Sequence, residues 1–186
     1  KIFNATYFNA SNKFKAIEFY KKIMLPTFKK IGLFWLTNKM NPAQEHFLSE
    51  MFKQKIYSQI NIESEKEGNN KKNWVLFLPP NEHHEMGLLF TRFLLLSRGY
   101  NVIYLGSNVP LLALSEIVKC KEVDFTLFFV VSNFAKLNYQ STIESVNKYF
   151  IKSKNYIVTN HTLDEELIKE NNVNLLQSVD DFLELL

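Results

Sequence analysis

Hydrophobic positions follow a different period in the two parts of this chain. Over residues 1–62 they recur at helical spacing, as at Phe14, Ile17 and Met24, a pattern typical of amphipathic helices. Pro26 falls inside this pattern and is expected to kink or interrupt its helix, because proline lacks the N–H group that the helix needs. The first part of the chain is therefore predicted to be a helical bundle.

A capping box predicts where the last helix of the bundle begins. Asn41 is a favourable N-cap, Pro42 suits the first helical position, and Gln44 can close the box. Residues 63–73 are charged or polar, include Gly68 and contain no apolar side chain, so they are predicted to be a linker. This gives a bundle over 1–62 and a second domain over 74–186.

After the linker, apolar runs alternate with amphipathic ones. Strands are predicted near 74–79, 101–105, 125–131, 155–159 and 173–176. Helices are predicted near 84–98, 110–120, 137–152, 163–171 and 179–186. The third strand is apolar almost throughout, which indicates burial on both faces and hence a parallel sheet. The fold class is therefore α/β, with an open, doubly wound parallel sheet of five strands.

Composition excludes several classes of protein. The net charge is +3 and the lysines are dispersed, which favours a solvated surface over a nucleic-acid-binding face. The single cysteine, Cys120, permits neither an internal disulfide nor a cysteine metal cluster, and a reducing, cytoplasmic setting fits. No apolar run approaches the roughly 18 residues of a membrane span. Because the chain starts at Lys1, we expect it to be a fragment of a longer protein.

The segment after the first predicted strand carries the most informative chemistry. Glu82, His84 and Gly87 form the pattern Glu-x-His-x-x-Gly at the strand's carboxyl end, where open α/β sheets bind ligands. An imidazole whose second nitrogen donates to a carboxylate is a common ligand of transition metals. An alternative is a plain helix start, capped by Asn81, with Glu82 and Glu85 favourable to the helix dipole.

A second pattern lies in the predicted bundle. Trp35 is followed, after nine residues, by Glu45 and His46. With Glu82-x-His84-x-x-Gly87, the chain resembles the cobalamin-binding region of CarH/LitR-type light-sensing regulators of the MerR class. In that family a helical bundle precedes a Rossmann-like, flavodoxin-like cobalamin-binding domain.

The resemblance implies an adenosylcobalamin cofactor bound base-off, with His84 as the lower ligand of cobalt and Glu82 as its partner. Trp35, Glu45 and His46 would then enclose the adenosyl group. Further matches are the Leu-Gly-x-x-x-Pro segment after the second strand and a serine that lines the tunnel of the nucleotide tail. The cofactor-binding residues implied are Trp35, Glu45, His46, Glu82, His84, Gly87, Leu105, Gly106, Ser132, Thr159 and Asn160.

Two positions depart from the family's pattern. Thr159 and Asn160 stand where corrinoid domains usually have Gly-Gly, beside the nucleotide tail. Two side chains in place of hydrogens are expected to narrow the tunnel. Leu36 stands where photoreceptor members have a histidine that caps cobalt after exposure to light, and leucine cannot coordinate a metal.

The resemblance implies a sensory domain of a transcriptional regulator rather than an enzyme. It would couple the upper ligand of its cofactor to homo-oligomerisation, and to DNA binding by an N-terminal winged-helix domain that precedes Lys1. Two alternatives stay open: a corrinoid protein of a methyltransferase system, and a regulator domain that has lost B12 binding.

Overall fold

The computed structural model describes residues 2–186, except for the side chains of Trp35 and Leu36. The helices of the first part are α1 (Ile2–Ser11), α2 (Ala16–Phe19), α3 (Leu25–Leu36) and α4 (Pro42–Ser64). The helices that follow are α5 (Met86–Ser97), α6 (Leu114–Cys120), α7 (Asn133–Lys136), α8 (Tyr139–Tyr149), α9 (Glu165–Glu170) and α10 (Val179–Leu183). The strands are β1 (Asn73–Phe77), β2 (Asn101–Gly106), β3 (Phe125–Val130), β4 (Lys154–Thr159) and β5 (Val173–Leu176). By internal contacts the chain divides into two units, Lys1–Phe52 and Lys53–Leu186; the linker over 63–73 stays a prediction.

Helix boundaries in the first unit follow local sequence signals. The backbone N–H of Asn41 donates to Gln44 Oε1 (3.1 Å), and the N–H of Gln44 donates to Asn41 Oδ1 (2.9 Å), which confirms the predicted capping box. The chain is π-helical over Tyr20–Met24, immediately before α3. Pro26 is the second residue of α3, and the chain stays helical from Ala16 to Leu36, so the helix is distorted into a π-helical turn just before the proline and is not ended there.

Aromatic rings hold the first unit together. The ring of Phe52 packs edge-on against Phe28 at 5.0 Å and against Phe3 at 5.1 Å between ring centres. Tyr7 packs in the same manner against Phe19 at 5.1 Å. Edge-to-face pairs of this kind are favourable beyond their buried area, so they contribute to the packing of these helices.

The second unit is built on a parallel sheet with strand order β2-β1-β3-β4-β5. All strand pairs are parallel, so the predicted doubly wound, flavodoxin-like sheet is confirmed. In this order the chain moves outward from β1 in one direction and from β3 in the other. The crevice beyond the carboxyl ends of β1 and β3 is therefore the topological switch point, where such sheets bind ligands.

Large side chains in the central strands fill both faces of the sheet. Trp74, Phe77 and Phe128 are each at most 1% exposed, and the rings of Phe77 and Phe128 stack at 5.3 Å between centres. The buried polar side chains of Thr126 and Asn155 pair with each other across β3 and β4, at 2.8 Å from Oγ1 to Oδ1. Burial on both faces explains the near-continuous apolar sequence of these strands.

Two predicted helices differ from the observed ones at their ends. The helix predicted near 84–98 is α5, which begins two residues later at Met86, because the N–H groups of His83 and His84 donate to the Glu82 carboxylate instead. The helix predicted near 137–152 is α8 (Tyr139–Tyr149), and it is preceded by a short helix that was not predicted, α7, which the Ser132 hydroxyl caps. Among the residues that the structure describes, no helix is both long and apolar enough to cross a membrane.

Candidate functional site

Glu82 is the centre of the candidate site. Its side chain is fully buried in the loop between β1 and α5. Oε1 accepts hydrogen bonds from the backbone N–H of His83 (2.9 Å), the backbone N–H of His84 (3.0 Å) and the ring of His84 (2.6 Å). Oε2 accepts from the backbone N–H groups of Val131 (2.6 Å) and Ser132 (2.7 Å), which follow β3. One carboxylate thus joins the two loops of the switch point.

The surroundings of Glu82 keep it ionised. Burial alone would raise the pKa of this carboxyl, but the hydrogen bonds from the His84 ring and from the amides of Ser132, His84 and Val131 outweigh burial and lower the pKa to about 2. A carboxylate that accepts several N–H bonds is expected to behave in this way. At neutral pH the Glu82 carboxylate is therefore ionised, so it accepts hydrogen bonds and cannot donate one.

The ionised carboxylate fixes the tautomer of His84. Nδ1 of His84 lies 2.6 Å from Glu82 Oε1, and because that oxygen can only accept, Nδ1 carries the hydrogen. In the neutral ring the lone pair is then on Nε2, the nitrogen that can bind a metal. The His84 side chain is 63% exposed, whereas Glu82 is buried. The pair therefore presents an oriented imidazole at the sheet edge.

The alternative of a capped helix start is wrong for this segment. Asn81 has a positive φ of 64°, and its backbone N–H donates to Asn108 Oδ1 at 2.9 Å. The residue that precedes α5 is Glu85, which makes no side-chain capping bond. Asn81 is therefore a turn residue rather than a helix cap.

Gly87 and Leu105 serve the packing of this unit. A Cβ atom on Gly87 would lie 2.5 Å from Cε2 of Phe129, so the glycine lets α5 approach β3 closely. Leu105 on β2 packs against the buried core of the sheet. Whether either residue also touches a ligand stays a prediction.

The loop after β2 is fastened to the loop that carries Glu82. Gly106 has a φ of +80°, a conformation that glycine adopts without strain. Its carbonyl accepts from the N–H of Leu78 (2.9 Å), and the N–H of Asn108 donates to the carbonyl of Glu82 (3.1 Å). The predicted glycine thus helps to place the Glu82 loop, and Asn108 is a contributor that the sequence analysis did not select.

Ser132 is engaged by two groups near the switch point. Its hydroxyl accepts the N–H of Ala135 at 3.0 Å, as the N-cap of α7, and donates to the carbonyl of Asn81 at 3.1 Å. Ser132 therefore joins the loops after β1 and β3, in parallel with the Glu82 carboxylate.

Thr159 and His161 link the carboxyl end of β4 to the carboxyl end of β3. The hydroxyl of Thr159 donates to the carbonyl of Val130 (2.6 Å) and accepts the N–H of His161 (3.1 Å). Nε2 of His161 lies 3.3 Å from the carbonyl oxygen of Ser132. Asn160, between them, is exposed.

A partly buried network of polar and charged side chains is centred on Glu85, the residue after His84. The hydroxyl of Tyr104 donates to Glu85 Oε1 at 2.7 Å, and Lys53 Nζ lies 3.2 Å from Glu85 Oε2. The guanidinium of Arg92 lies over the Tyr104 ring, 4.9 Å from its centre. Burial and the neighbouring Glu85 carboxylate raise the pKa of Tyr104 well above its usual value. No spacing in the sequence indicates this network, because its members are far apart along the chain.

Glu45 and His46 are neighbours in the first turn of α4. Nδ1 of His46 lies 3.1 Å from Glu45 Oε2, and the hydroxyl of Ser49 donates to Glu45 Oε1 at 2.6 Å. The His46 side chain is 77% exposed. The side chains of Trp35 and Leu36, which the sequence analysis selected with them, lie outside the described residues.

The donor set at Glu82 and His84 suits a metal that brings its own ligands. Among the described residues no group of three or more His, Cys, Asp or Glu side chains could hold a metal ion. A macrocycle that supplies the equatorial ligands needs only one further donor from the protein, and an imidazole oriented by a carboxylate is a suitable donor. The residues present therefore fit a corrinoid at its lower face.

Exposed apolar side chains lie in the segments that follow the carboxyl ends of β2 and β3. Leu112 follows β2 and is 73% exposed, whereas Phe134 and Leu137 follow β3 and are 73% and 81% exposed. A flat, largely apolar ligand face would be compatible with such side chains. The sequence analysis did not select them, because nothing in their spacing separates them from core residues.

Comparison with known proteins gives three kinds of match. Residues 6–58 match the family described as B12 binding domain (B12-binding_2). The chain is 26% identical over 127 residues to the HTH-type transcriptional repressor CarH of Myxococcus xanthus, over 68% of this chain. That match spans 42% of the repressor's own length.

Solved structures share the fold. The monomethylamine corrinoid protein of Methanosarcina barkeri matches with a TM-score of 0.72 and 13% identity, over 95% of this chain and 86% of its own. A cobalamin-binding protein of Desulfitobacterium hafniense DCB-2 matches at 0.53 and 15% identity, over 85% of this chain and 75% of its own. The methanol:cobalamin methyltransferase complex of Methanosarcina barkeri matches at 0.51 and 13% identity, over 89% of this chain and 64% of its own. The sequence matches show that this chain is similar to B12-binding proteins, and the structural matches show the fold alone.

Proposed function

We propose that this chain is a cobalamin-binding sensory domain of a transcriptional regulator, with His84 as the lower ligand of cobalt. The observation that carries the proposal is the buried Glu82 carboxylate, which holds Nδ1 of the exposed His84 ring at 2.6 Å. The match of residues 6–58 to a B12 binding domain supports the cofactor class. The match to a transcriptional repressor supports the regulatory role.

The residues of the chain have separate tasks in this proposal. Glu82 keeps the His84 ring in the metal-binding tautomer and raises its basicity. Its bonds to the amides of Val131 and Ser132 fix the loop that carries the ring. When bound, cobalamin supplies a cobalt centre with an exchangeable upper ligand.

The finer part of the proposal concerns the signal. The motif of Trp35, Glu45 and His46 favours the adenosyl form of the cofactor, because an aromatic and polar pair suits a nucleoside better than a methyl group. Loss of the upper ligand, by light or by depletion of the cofactor, would shift a homo-oligomer equilibrium. DNA would be bound by a separate winged-helix domain, with avidity set by the oligomer.

Substitution of His84 tests the ligand assignment. We expect His84→Ala to bind adenosylcobalamin in the dark at least about tenfold more weakly and to lose the His-on visible spectrum, because an alanine donates no lone pair to the metal. His83→Ala is the matched control, since His83 is an exposed neighbour whose side chain is not part of the Glu82 pair. Equal binding and equal spectra in wild type and His84→Ala would disprove the assignment.

Light and oligomer size test the regulatory role. The wild-type domain is loaded with adenosylcobalamin in the dark, and its spectrum and its elution from gel filtration are recorded before and after green light. A bleached spectrum with a change of oligomer size supports a light-responsive regulator. A bound cofactor whose loss leaves the oligomer unchanged contradicts the proposed coupling.

A second candidate is a corrinoid protein that carries methyl groups between methyltransferases. It is favoured by the structural match to a corrinoid protein over 95% of this chain. The two candidates differ in their upper ligand: a methyl carrier should bind methylcobalamin at least as well as adenosylcobalamin. A preference for the adenosyl form that Glu45→Ala weakens would favour the regulator.

A further inference from the structure

The carboxyl ends of β3 and β4 are fastened to each other by side chains. Thr159, the last residue of β4, is the register partner of Val130, and its hydroxyl donates to the Val130 carbonyl at 2.6 Å. The same hydroxyl accepts the N–H of His161 at 3.1 Å, and His161 Nε2 lies 3.3 Å from the Ser132 carbonyl oxygen. We call Thr159, His161 and their bonds to Val130 and Ser132 the β3–β4 latch.

The latch is continuous with the site of His84. The N–H of Ser132 donates to Glu82 Oε2 at 2.7 Å, and the Ser132 hydroxyl donates to the Asn81 carbonyl at 3.1 Å. The carbonyl, N–H and hydroxyl of Ser132 are therefore all engaged by neighbours. The ends of β3 and β4 beside the His84 loop are thus joined by groups that already bond to one another.

The chemistry of corrinoids places a demand on this space. In complete cobalamin the nucleotide tail hangs from the lower face of the ring, the face that a protein histidine takes. A histidine ligand displaces the terminal base, and the tail must then lie against the protein on the histidine's side. A tail that lay against the ends of β3 and β4 would have to part the latch, which would expose or re-pair the polar groups that the latch satisfies.

We infer that this domain discriminates against the nucleotide tail, and that the β3–β4 latch, together with the adjacent Asn160 side chain, makes it favour corrinoids that lack a tail. The inference rests on the proposed function, because it presupposes that His84 binds a corrinoid. Within the corrinoids it names a different preferred member from complete cobalamin: a cobinamide-type corrinoid with an intact ring and a short amide side chain. The side chains at 159 and 160 are the residues that set the preference.

The test is a comparison of two ligands in two proteins. Binding of adenosylcobalamin and adenosylcobinamide is measured in the dark by visible titration and equilibrium dialysis. The proteins are the wild type and the double variant Thr159→Gly/Asn160→Gly, which removes the latch hydroxyl and both side chains. Displacement of the cofactor's own base from cobalt costs the same in both proteins, so it cancels when their cobalamin-to-cobinamide affinity ratios are compared.

We expect the double variant to shift this ratio toward cobalamin by about tenfold or more, the worth of roughly one to two net hydrogen bonds. Asn172→Gly serves as the matched control, because Asn172 is an exposed turn residue with a φ of 51° just before β5, at the opposite edge of the sheet. Circular dichroism confirms that each variant is folded. The control should keep the wild-type ratio.

The outcomes separate this inference from the proposed function. A ratio that is the same in wild type and double variant overturns the role of the latch, while binding through His84 still supports a corrinoid site. Absence of binding by either ligand in the wild type overturns the proposed function and the inference together. A shift of the ratio toward cobalamin in the double variant but not in Asn172→Gly supports both, whereas a shift toward cobinamide overturns the inference.

Discussion

At the scale of the residue, Glu82 determines more of the site than any other side chain. It receives hydrogen bonds from His83, His84, Val131 and Ser132. A buried carboxylate is costly unless it is satisfied in this way. The same bonds that stabilise the charge fix the loop after β1 against the loop after β3, so the stability of the loops and the orientation of His84 have one origin.

Substitution of Glu82 is expected to reduce stability strongly. Glu82→Gln replaces one acceptor oxygen by an NH₂ group, which must face N–H donors, so buried donors lose their partner. We expect the free energy of unfolding to fall by about 3 kcal/mol. Urea unfolding followed by circular dichroism measures the change. Glu184→Gln, at an exposed position of the C-terminal segment, is the control and should change stability by less than about 0.5 kcal/mol.

Sequence reasoning predicted one half of this site and missed the other. The pairing of Glu82 with His84 is local, so a spacing of two residues was enough to suggest it. The amides of Val131 and Ser132 lie 49 and 50 positions from Glu82. Because every residue except proline carries a backbone N–H, the sequence does not indicate which of these groups will bind a carboxylate. Tyr104 and Lys53 meet at Glu85 for a similar reason: their proximity depends on the register of β2 and on the packing of α4, which no local pattern encodes.

At the scale of the element, the strands were predicted better than the helices. Each strand was placed to within two residues, because apolar runs buried on both faces are distinctive. The helices deviated where a side chain competed with the helix. Ser132 caps α7, a short helix that the hydrophobic period did not indicate, and Glu82 kept the loop before α5 out of the helix. The period of apolar residues carries no information about such polar competition.

The last helix offers a test of local capping. The hydroxyl of Ser178 accepts the N–H of Asp181 at 3.1 Å, and the Asp181 carboxylate accepts the N–H of Ser178. This capping box starts α10, whose Phe182 is 5% exposed and packs edge-on against Trp74 at 5.9 Å. We expect Ser178→Ala to lower the free energy of unfolding by about 1 kcal/mol in urea.

Ser141→Ala is the control for that prediction. Ser141 is exposed, and its hydroxyl donates to the carbonyl of Asn138 without accepting a helix N–H. Its removal should therefore have a much smaller effect. Equal losses in the two variants would show that the capping box does not stabilise α10.

At the scale of the whole molecule, acid should destabilise the protein by protonating carboxyl groups whose pKa is lowered on folding. The pKa of Glu82 falls from 4.5 to about 2 on folding. The pKa of Asp124 is also lowered, because the bonds from Lys72 and Asn73 outweigh burial, and that of Asp181 by its bonds with Ser178 and Gln177. A group whose pKa is lowered on folding stabilises the protein above its unfolded pKa, and this contribution is lost as the pH falls through the folded pKa.

We therefore expect stability to be nearly constant above about pH 5 and to decline steadily between about pH 4.5 and pH 2. The midpoint of urea unfolding, measured at half-unit steps of pH, checks this window. Glu82→Gln removes the largest contributor and should flatten the decline. An unchanged slope in that variant would contradict the assignment of the pH dependence to Glu82.

The bonds around Glu82 also have a kinetic consequence. The imidazole of His84 is oriented by the polypeptide itself, before any cofactor arrives, and the loop that carries it needs no further ordering. A protein stripped of its cofactor should therefore be ready to be reloaded, with an association rate that depends on access to the sheet edge and not on a slow rearrangement of the loop. Under the proposed function, repeated cycles of loading and release would leave the ligand geometry unchanged.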